Sequence, residues 1–233
     1  MHIERQGRGL ALALLIIAGA ACGPSAEDQR RSDSAVAAAA QAKVAIQAGE
    51  VLSVRREAQP YLDGARSAFV AKDRRAAANA LRDAAAFTRG QADSATEPAK
   101  NALVASADEL NRLATRVSNG ATKTAKSLDY AFARTHLAEA QLHCTRALDA
   151  WTKGKAGATS AEIVMLADHF ERAAVDAGKP LSASAQQAMG TARSLAGRLT
   201  QSANVPQADV EGALTAMDKE VHALMATAAK LKT

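Results

Sequence analysis

Histidine is the most informative residue type for chemistry in this chain, because only five histidines occur in the sequence and their spacing can therefore be interpreted. In the stretch HLAEAQLH, His136, Glu139 and His143 are separated by three and four residues, which places them along one stripe of a helix. Asp218 and His222 form a second pair, one helical turn apart. Imidazole and carboxylate groups on facing helices are typical ligands of divalent metals in helical bundles. The candidate metal ligands are therefore His136, Glu139, His143 and His222.

The rise of a helix limits how these side chains could share one ion. Seven residues of helix advance about 10 Å, whereas a metal–nitrogen bond is about 2 Å, so His136 and His143 cannot easily chelate one ion together. Glu139 would have to join one of them, and further ligands would have to come from another helix. We therefore expect these residues to be polar groups on a partly solvated face, with metal binding no tighter than that of scattered surface histidines and no bound cofactor.

Enzyme signatures are otherwise missing from the sequence. It has no Gly-rich phosphate loop, no G-x-S-x-G elbow, no H-E-x-x-H pair and no C-x-x-C-H haem attachment. The chain is 48% hydrophobic but only 3% aromatic, which does not favour a pocket lined by large apolar groups. Its net charge is +5, and the basic residues are scattered in pairs, which does not favour nucleic acid as a partner. We predict a protein that is not an enzyme.

The elements that must position these side chains are helices. Apolar residues recur at spacings of three and four from about residue 35 onward, and no alternating strand pattern bounded by turns interrupts them. Alanine supplies much of the apolar content, so the helices should pack closely. Short polar or Gly-rich breaks make consecutive helices antiparallel neighbours. The predicted fold is all-α, an antiparallel up-down bundle, or bundles, of about six or seven alanine-rich helices.

Two local patterns divide the helical part. Residues 94–97, Ser-Ala-Thr-Glu, have the pattern of a capping box and predict that a helix starts there. Residues 153–160, KGKAGATS, contain two glycines within a polar stretch and predict a hinge. We therefore predict an N-terminal helical region over residues 35–153 and a C-terminal helical region over residues 160–233 that packs with it.

The beginning of the chain has the parts of a secretory signal peptide. Arg5 and Arg8 precede an apolar run over residues 10–21, and small residues end that run. The run is well short of the roughly 20 residues that a helix needs to cross a bilayer. We therefore predict that residues 1–21 are a signal peptide and that the protein is exported.

The small residues in front of Cys22 resemble the lipobox of bacterial lipoproteins, which places a small residue directly before an acylated cysteine. Ala20 and Ala21 match that pattern, whereas Gly19 stands where the family usually has leucine. Cleavage by the ordinary signal peptidase, at the A-x-A pattern of residues 18–20, is therefore the alternative. The resemblance covers only the first 23 residues, and it says nothing about what the mature chain binds.

A lipobox implies how the protein is held in the cell. It implies lipid, including palmitate, on Cys22 and attachment to a membrane through that lipid. The polar residues 22–34 that follow would then form a flexible tether. Gly23, rather than Asp, follows the cysteine, which in enteric-type lipoproteins implies an outer-membrane location, here facing the periplasm.

Two functions are compatible with these features. The first is an exported, membrane-anchored lipoprotein whose helical part is a non-catalytic binding or structural module for an unknown envelope protein or small ligand. The alternative is a periplasmic metal-binding bundle. One spatial observation separates them: whether His169 or His222 lies within ligand distance of Glu139.

Overall fold

The computed structural model describes residues 58–201 and 204–231. The predicted signal peptide, the tether with Cys22 and the beginning of the predicted N-terminal helical region lie outside these residues. All described residues fall within one structural unit. Their regular elements are all α-helices, which confirms the predicted all-α class.

Seven helices follow one another in the part of the chain that the structure describes. They are α1 (Gln59–Val70), α2 (Arg74–Asp93), α3 (Ala99–Ser118), α4 (Lys126–Thr152), α5 (Ala156–Asp176), α6 (Ala183–Gln201) and α7 (Gln207–Ala228). Three to seven residues separate consecutive helices. Each helix packs against the next along the chain, and α7 also packs against α4. The helices therefore form the predicted bundle of antiparallel neighbours. None of these seven helices has the length and apolar character that crossing a membrane requires.

The longest helix, α4, contributes to both large apolar cores and, through Ala138 and Leu142, to a smaller cluster with α2 and α3. Its first half, with Leu128 and Phe132, packs into a core built with α1, α2 and α3. Its second half, with Leu137 and Ala140, packs into a core built with α5, α6 and α7. In the middle of α4, every residue from 135 to 143 is buried. Because other helices enclose this stretch on all sides, its polar side chains are buried along with its apolar ones.

The predicted capping box at residues 94–97 is wrong. Helix α2 continues to Asp93, and Ser94 serves as its C-cap, with its hydroxyl donating to the carbonyl oxygen of Gln91. Helix α3 starts at Ala99, after Pro98, and no side chain caps its first turn. The serine is already used at the end of the preceding helix, so it cannot cap the next one.

The segment 153–160 is a tight turn followed by helix rather than an extended hinge. Gly154 has a φ of +66°, a left-handed conformation that L-residues rarely adopt, and it reverses the chain direction within three residues. Helix α5 already begins at Ala156. The short turn holds α4 and α5 side by side, and these two helices share the most extensive contact in the described structure.

Candidate metal centre

Two polar stripes face each other across the interface between α4 and α5. The stripe on α4 has spacings of three and four residues, and the stripe on α5 has spacings of seven, so each lies on one side of its helix. Because the helices are antiparallel, the first residue of one stripe meets the last of the other. The residues are His136, Glu139 and His143 on α4, and Glu162, His169 and Asp176 on α5.

Three possible ligand atoms converge in the middle of this interface. The Nδ1 atoms of His136 and His169 are 3.2 Å apart. Glu139 Oε2 lies 3.4 Å from the first and 3.1 Å from the second. These three residues are the one group of at least three potential ligand side chains that converge closely among the described residues. All three are almost fully buried, with exposed fractions of 1%, 0% and 2% for His136, Glu139 and His169.

The triangle of these atoms has the dimensions of a metal coordination shell. Zinc bonds to nitrogen and oxygen are about 2.0–2.1 Å long, and when they point to the corners of a tetrahedron the bonded atoms are about 3.3 Å apart. The three sides of the triangle are 3.2, 3.4 and 3.1 Å. The distances therefore allow one ion to contact all three atoms, with the fourth corner left for another ligand.

The carboxylate of Glu139 makes no hydrogen bond to any residue that the structure describes, although both of its oxygens are buried. Oε2 is 3.1 Å from His169 Nδ1, a contact that is an ion pair only when that ring is protonated. A buried carboxylate without hydrogen bonds or a paired charge is strongly unfavourable. A bound cation would supply the missing compensation.

The protonation state of His169 favours a cation. Burial lowers the pKa of His169 from 6.5 to about 3, against the opposing effect of the Glu139 carboxylate, so the imidazole is neutral at ordinary pH. A neutral imidazole is the form that binds a metal ion.

His143, predicted as a ligand, lies next to the triangle but is not part of the converging group. Its Nδ1 is 2.6 Å from Glu162 Oε2, and both residues are buried. Its ring stacks on that of His169, with centroids 5.2 Å apart and planes 7° apart. The structure therefore agrees with the helix-rise argument, since Glu139 converges with His136 and not with His143.

His222, the other predicted ligand, lies on α7 with a side chain that is 52% exposed. Its Nδ1 is 2.8 Å from the carbonyl oxygen of Asp218, and its Nε2 is 3.2 Å from Gln141 Nε2. It is therefore a partly solvated helix residue, outside the converging group.

The expectation of a partly solvated face is wrong for the α4 stripe. His136, Glu139 and His143 are all buried, because α4 lies at the centre of the bundle. His169, which was not among the candidate ligands, supplies the third converging atom, from a second helix. The seven-residue spacing from Glu162 to His169 is the sequence signal that could have indicated a second polar stripe.

An open cleft adjoins one end of the two stripes. It has a volume of about 480 Å³, and its lining includes His136, Arg66, Asp168, Arg172 and Asp176. Within the triangle, only His136 contributes to this lining. The cleft therefore reaches only one of the three candidate ligands, His136.

No protein-family model, no curated protein and no solved structure matches this chain. The function is therefore argued from the chemistry of the α4–α5 interface and from the beginning of the sequence.

Proposed function

We propose that this protein is a metal-binding helical bundle of the cell envelope, with a divalent transition-metal ion held by His136, Glu139 and His169. The observation that carries the proposal is the triangle of three buried ligand atoms with sides of 3.1–3.4 Å. Glu139 Oε2 lies between the two imidazole nitrogens, and a bound cation would offset the cost of burying its charge. Of the two functions compatible with the sequence, we therefore favour the metal-binding bundle over the non-catalytic binding or structural module.

The donor set indicates the class of metal. Two imidazole nitrogens and one carboxylate oxygen suit zinc and its first-row neighbours, whereas calcium and magnesium prefer all-oxygen sites. Zinc also fits the tetrahedral spacing of the three atoms. The same ligand types occur in ferrous centres. Zinc is the ion that the geometry favours, and iron is the competitor to test.

The surroundings of the site support binding rather than catalysis. Glu139 is 0% exposed and His169 is 2% exposed, so a substrate has no direct approach to them. The neighbouring cleft reaches only His136, through its lining. We therefore propose a role in holding a metal ion, with no reaction of its own.

The envelope part of the proposal rests on the beginning of the sequence. The charged start, the apolar run over residues 10–21 and the small residues before Cys22 support export and lipidation of this cysteine. The bundle would then be presented from the outer membrane to the periplasm, where its partner is an envelope protein or a small ligand, with no nucleic acid involved.

Calorimetric titration of the full chain, purified in detergent, with zinc chloride tests metal binding. We expect one zinc ion per chain with a sub-micromolar dissociation constant, and loss of this binding in His169→Ala. His222→Ala is the matched control, because it removes a histidine outside the triangle, and it should bind as the wild type does. Absence of a stoichiometric site, or equal loss in both variants, would overturn the proposal. A parallel titration with ferrous iron under anaerobic conditions decides between the two metals.

Mass spectrometry of the membrane-extracted protein tests the anchor. We expect a mature N-terminus at Cys22 that carries acyl chains, and we expect Cys22→Ser to remain uncleaved or to be released from membranes. A mature N-terminus at Ala21, or an unmodified Cys22, would contradict lipidation and favour ordinary signal-peptidase cleavage.

A further inference from the structure

A carboxylate, and an arginine that binds it, lie on the side of the His136 ring that faces away from the triangle of candidate ligand atoms. A histidine that binds metal through one nitrogen carries a proton on the other, and this N–H usually faces a carboxylate or a carbonyl oxygen. His136 directs Nδ1 into the triangle, which leaves Nε2 for that role. The carboxylate beside Nε2 belongs to Asp176, with Oδ2 at 3.7 Å.

Asp176 is itself fixed by an arginine. Arg66 Nη2 donates to Asp176 Oδ1 at 2.7 Å and to Asp129 Oδ1 at 2.8 Å. The same guanidinium lies over the ring of Phe132, at 5.1 Å from its centroid. Arg66 comes from α1, Asp129 from α4 and Asp176 from α5, so three helices determine where the Asp176 carboxylate stands.

We propose that Asp176 is a positioning residue for the metal centre: it keeps the proton of His136 on Nε2, so that the Nδ1 lone pair is available to the ion. Arg66 acts one step further out, by fixing Asp176. This inference rests on the proposed function, since it concerns a ligand of that metal. Neither residue touches the ion.

The contact between the two Nδ1 atoms agrees with this assignment. At 3.2 Å, one of these nitrogens must donate a proton and the other must accept it. With its proton on Nε2, His136 is the acceptor and His169 the donor in the metal-free protein, so metal binding also requires the His169 proton to move from Nδ1 to Nε2. The 3.7 Å separation of His136 Nε2 from Asp176 Oδ2 is longer than a hydrogen bond. A metal bound at Nδ1 makes the Nε2–H more acidic, which strengthens its attraction to the carboxylate.

The other end of the interface provides a matched control. Glu162 Oε2 lies 2.6 Å from His143 Nδ1 in the same interface, and its side chain is 5% exposed, against 10% for Asp176. Both pairs thus join a carboxylate from α5 to an α4 histidine, but only His136 belongs to the triangle. Removing the charge of Glu162 should therefore change the buried electrostatics with little effect on the ligands, because its partner His143 meets the ligand His169 only through ring stacking.

The first test compares zinc affinity in Asp176→Asn and Glu162→Gln, using the full chain in detergent. We expect Asp176→Asn to weaken zinc binding about 10–100-fold, the usual effect of losing an outer partner of a ligand histidine. Glu162→Gln should stay within a few-fold of the wild type. Arg66→Gln, which loosens Asp176 without removing it, should have a smaller effect and serves if Asp176→Asn does not fold. Equal losses for Asp176→Asn and Glu162→Gln would overturn the inference.

The second test reads the tautomer directly. Nitrogen-15 NMR of the metal-free wild type should show His136 with its proton on Nε2, and Asp176→Asn should raise the population with the proton on Nδ1. A purely structural role for Asp176 would leave this ratio unchanged, and an unchanged ratio overturns the inference. If the wild type binds zinc but Asp176→Asn binds it equally well, the positioning role alone fails. If the wild type binds no metal, the proposed function fails.

Discussion

The interfaces α4–α5 and α6–α7 belong to the same apolar core but differ in whether they also bury ionisable side chains. Every buried residue of α6 and α7 is apolar, and most are alanine or leucine. The interface between α4 and α5 buries five titratable side chains: His136, Glu139, His143, Glu162 and His169. Both pairs are antiparallel neighbours joined by short turns. The bundle architecture therefore has no requirement for polar groups in its interior.

Folding stability explains why apolar residues are buried in both interfaces, but it does not explain the buried ionisable residues of the α4–α5 interface. Burial of alanine and leucine stabilises the fold, at roughly 25 cal/mol for each Å² of apolar surface removed from water. Burial of ionisable groups opposes folding unless they are paired or bind an ion. We therefore expect the ionisable residues of the α4–α5 interface to serve function at a cost in stability. The α6–α7 interface is the reference with which it is compared.

The largest effect should come from Glu139. Glu139→Gln keeps the shape of the side chain but removes its charge, so zinc affinity should fall by more than about a hundredfold, beyond the usual loss for an outer partner. Zinc titration measures the affinity, and urea unfolding of the metal-free variant shows that it is folded. A variant that keeps the zinc affinity of the wild type contradicts the comparison.

The reference interface should respond in the opposite way. Leu195 on α6 is 2% exposed, and Leu195→Ala should lower the free energy of unfolding by about 2–5 kcal/mol, because it loses apolar contacts and leaves a cavity. Zinc affinity of the folded protein should remain that of the wild type. Urea unfolding and calorimetry measure the two quantities. A large loss of affinity would mean that the two interfaces are not independent.

Acid should affect the polar interface selectively. The pKa of His169 is about 3 in the fold, where burial opposes its charge, against an ordinary value of 6.5. Between these pH values the unfolded chain binds more protons than the folded one, so the stability of the metal-free protein should fall as the pH falls. Urea midpoints at about pH 7 and about pH 4 measure this slope. His169→Gln should flatten it, and an equal slope in both proteins counts against a buried neutral His169.

The smallest effect should come from the surface of the reference interface. Arg198 Nη2 lies 2.7 Å from Asp209 Oδ2, but the side chains are 49% and 42% exposed. Because solvent screens such a pair, Arg198→Ala should lower the free energy of unfolding by less than about 1 kcal/mol. Urea unfolding measures the change. A loss as large as that of Leu195→Ala would show that surface pairs, rather than the apolar core, hold α6 and α7 together.

The sequence alone was sufficient for the fold but not for the centre. Spacings of three and four along each helix predicted the all-α bundle, and the stripe on α4 identified His136 and Glu139. His169 lies among the apolar residues Leu166 and Phe170 of α5, where the periodicity indicates a core-facing side. That this side meets the α4 stripe depends on how the helices are rotated and packed, which a one-dimensional pattern does not contain.

Burial could not be predicted for a related reason. A polar stripe usually faces water, so the pattern on α4 predicts a partly solvated face. Helix α4 is enclosed because α3, α5 and α7 all pack against it. Small residues on opposite sides of the helix are the local sign of this enclosure: Ala138 packs with α2 and α3, and Ala140 packs with α5, α6 and α7. They allow neighbouring helices to approach from both sides.

Zinc K-edge X-ray absorption of the full chain loaded with one zinc ion tests the central claim most directly. The account predicts a shell of nitrogen and oxygen neighbours at about 2.0–2.1 Å, with the scattering signature of two imidazoles in the wild type and of one imidazole in His169→Ala supplied with excess zinc. A wild-type spectrum without imidazole scattering, or one that is identical in His169→Ala, would contradict a centre built from His136, Glu139 and His169.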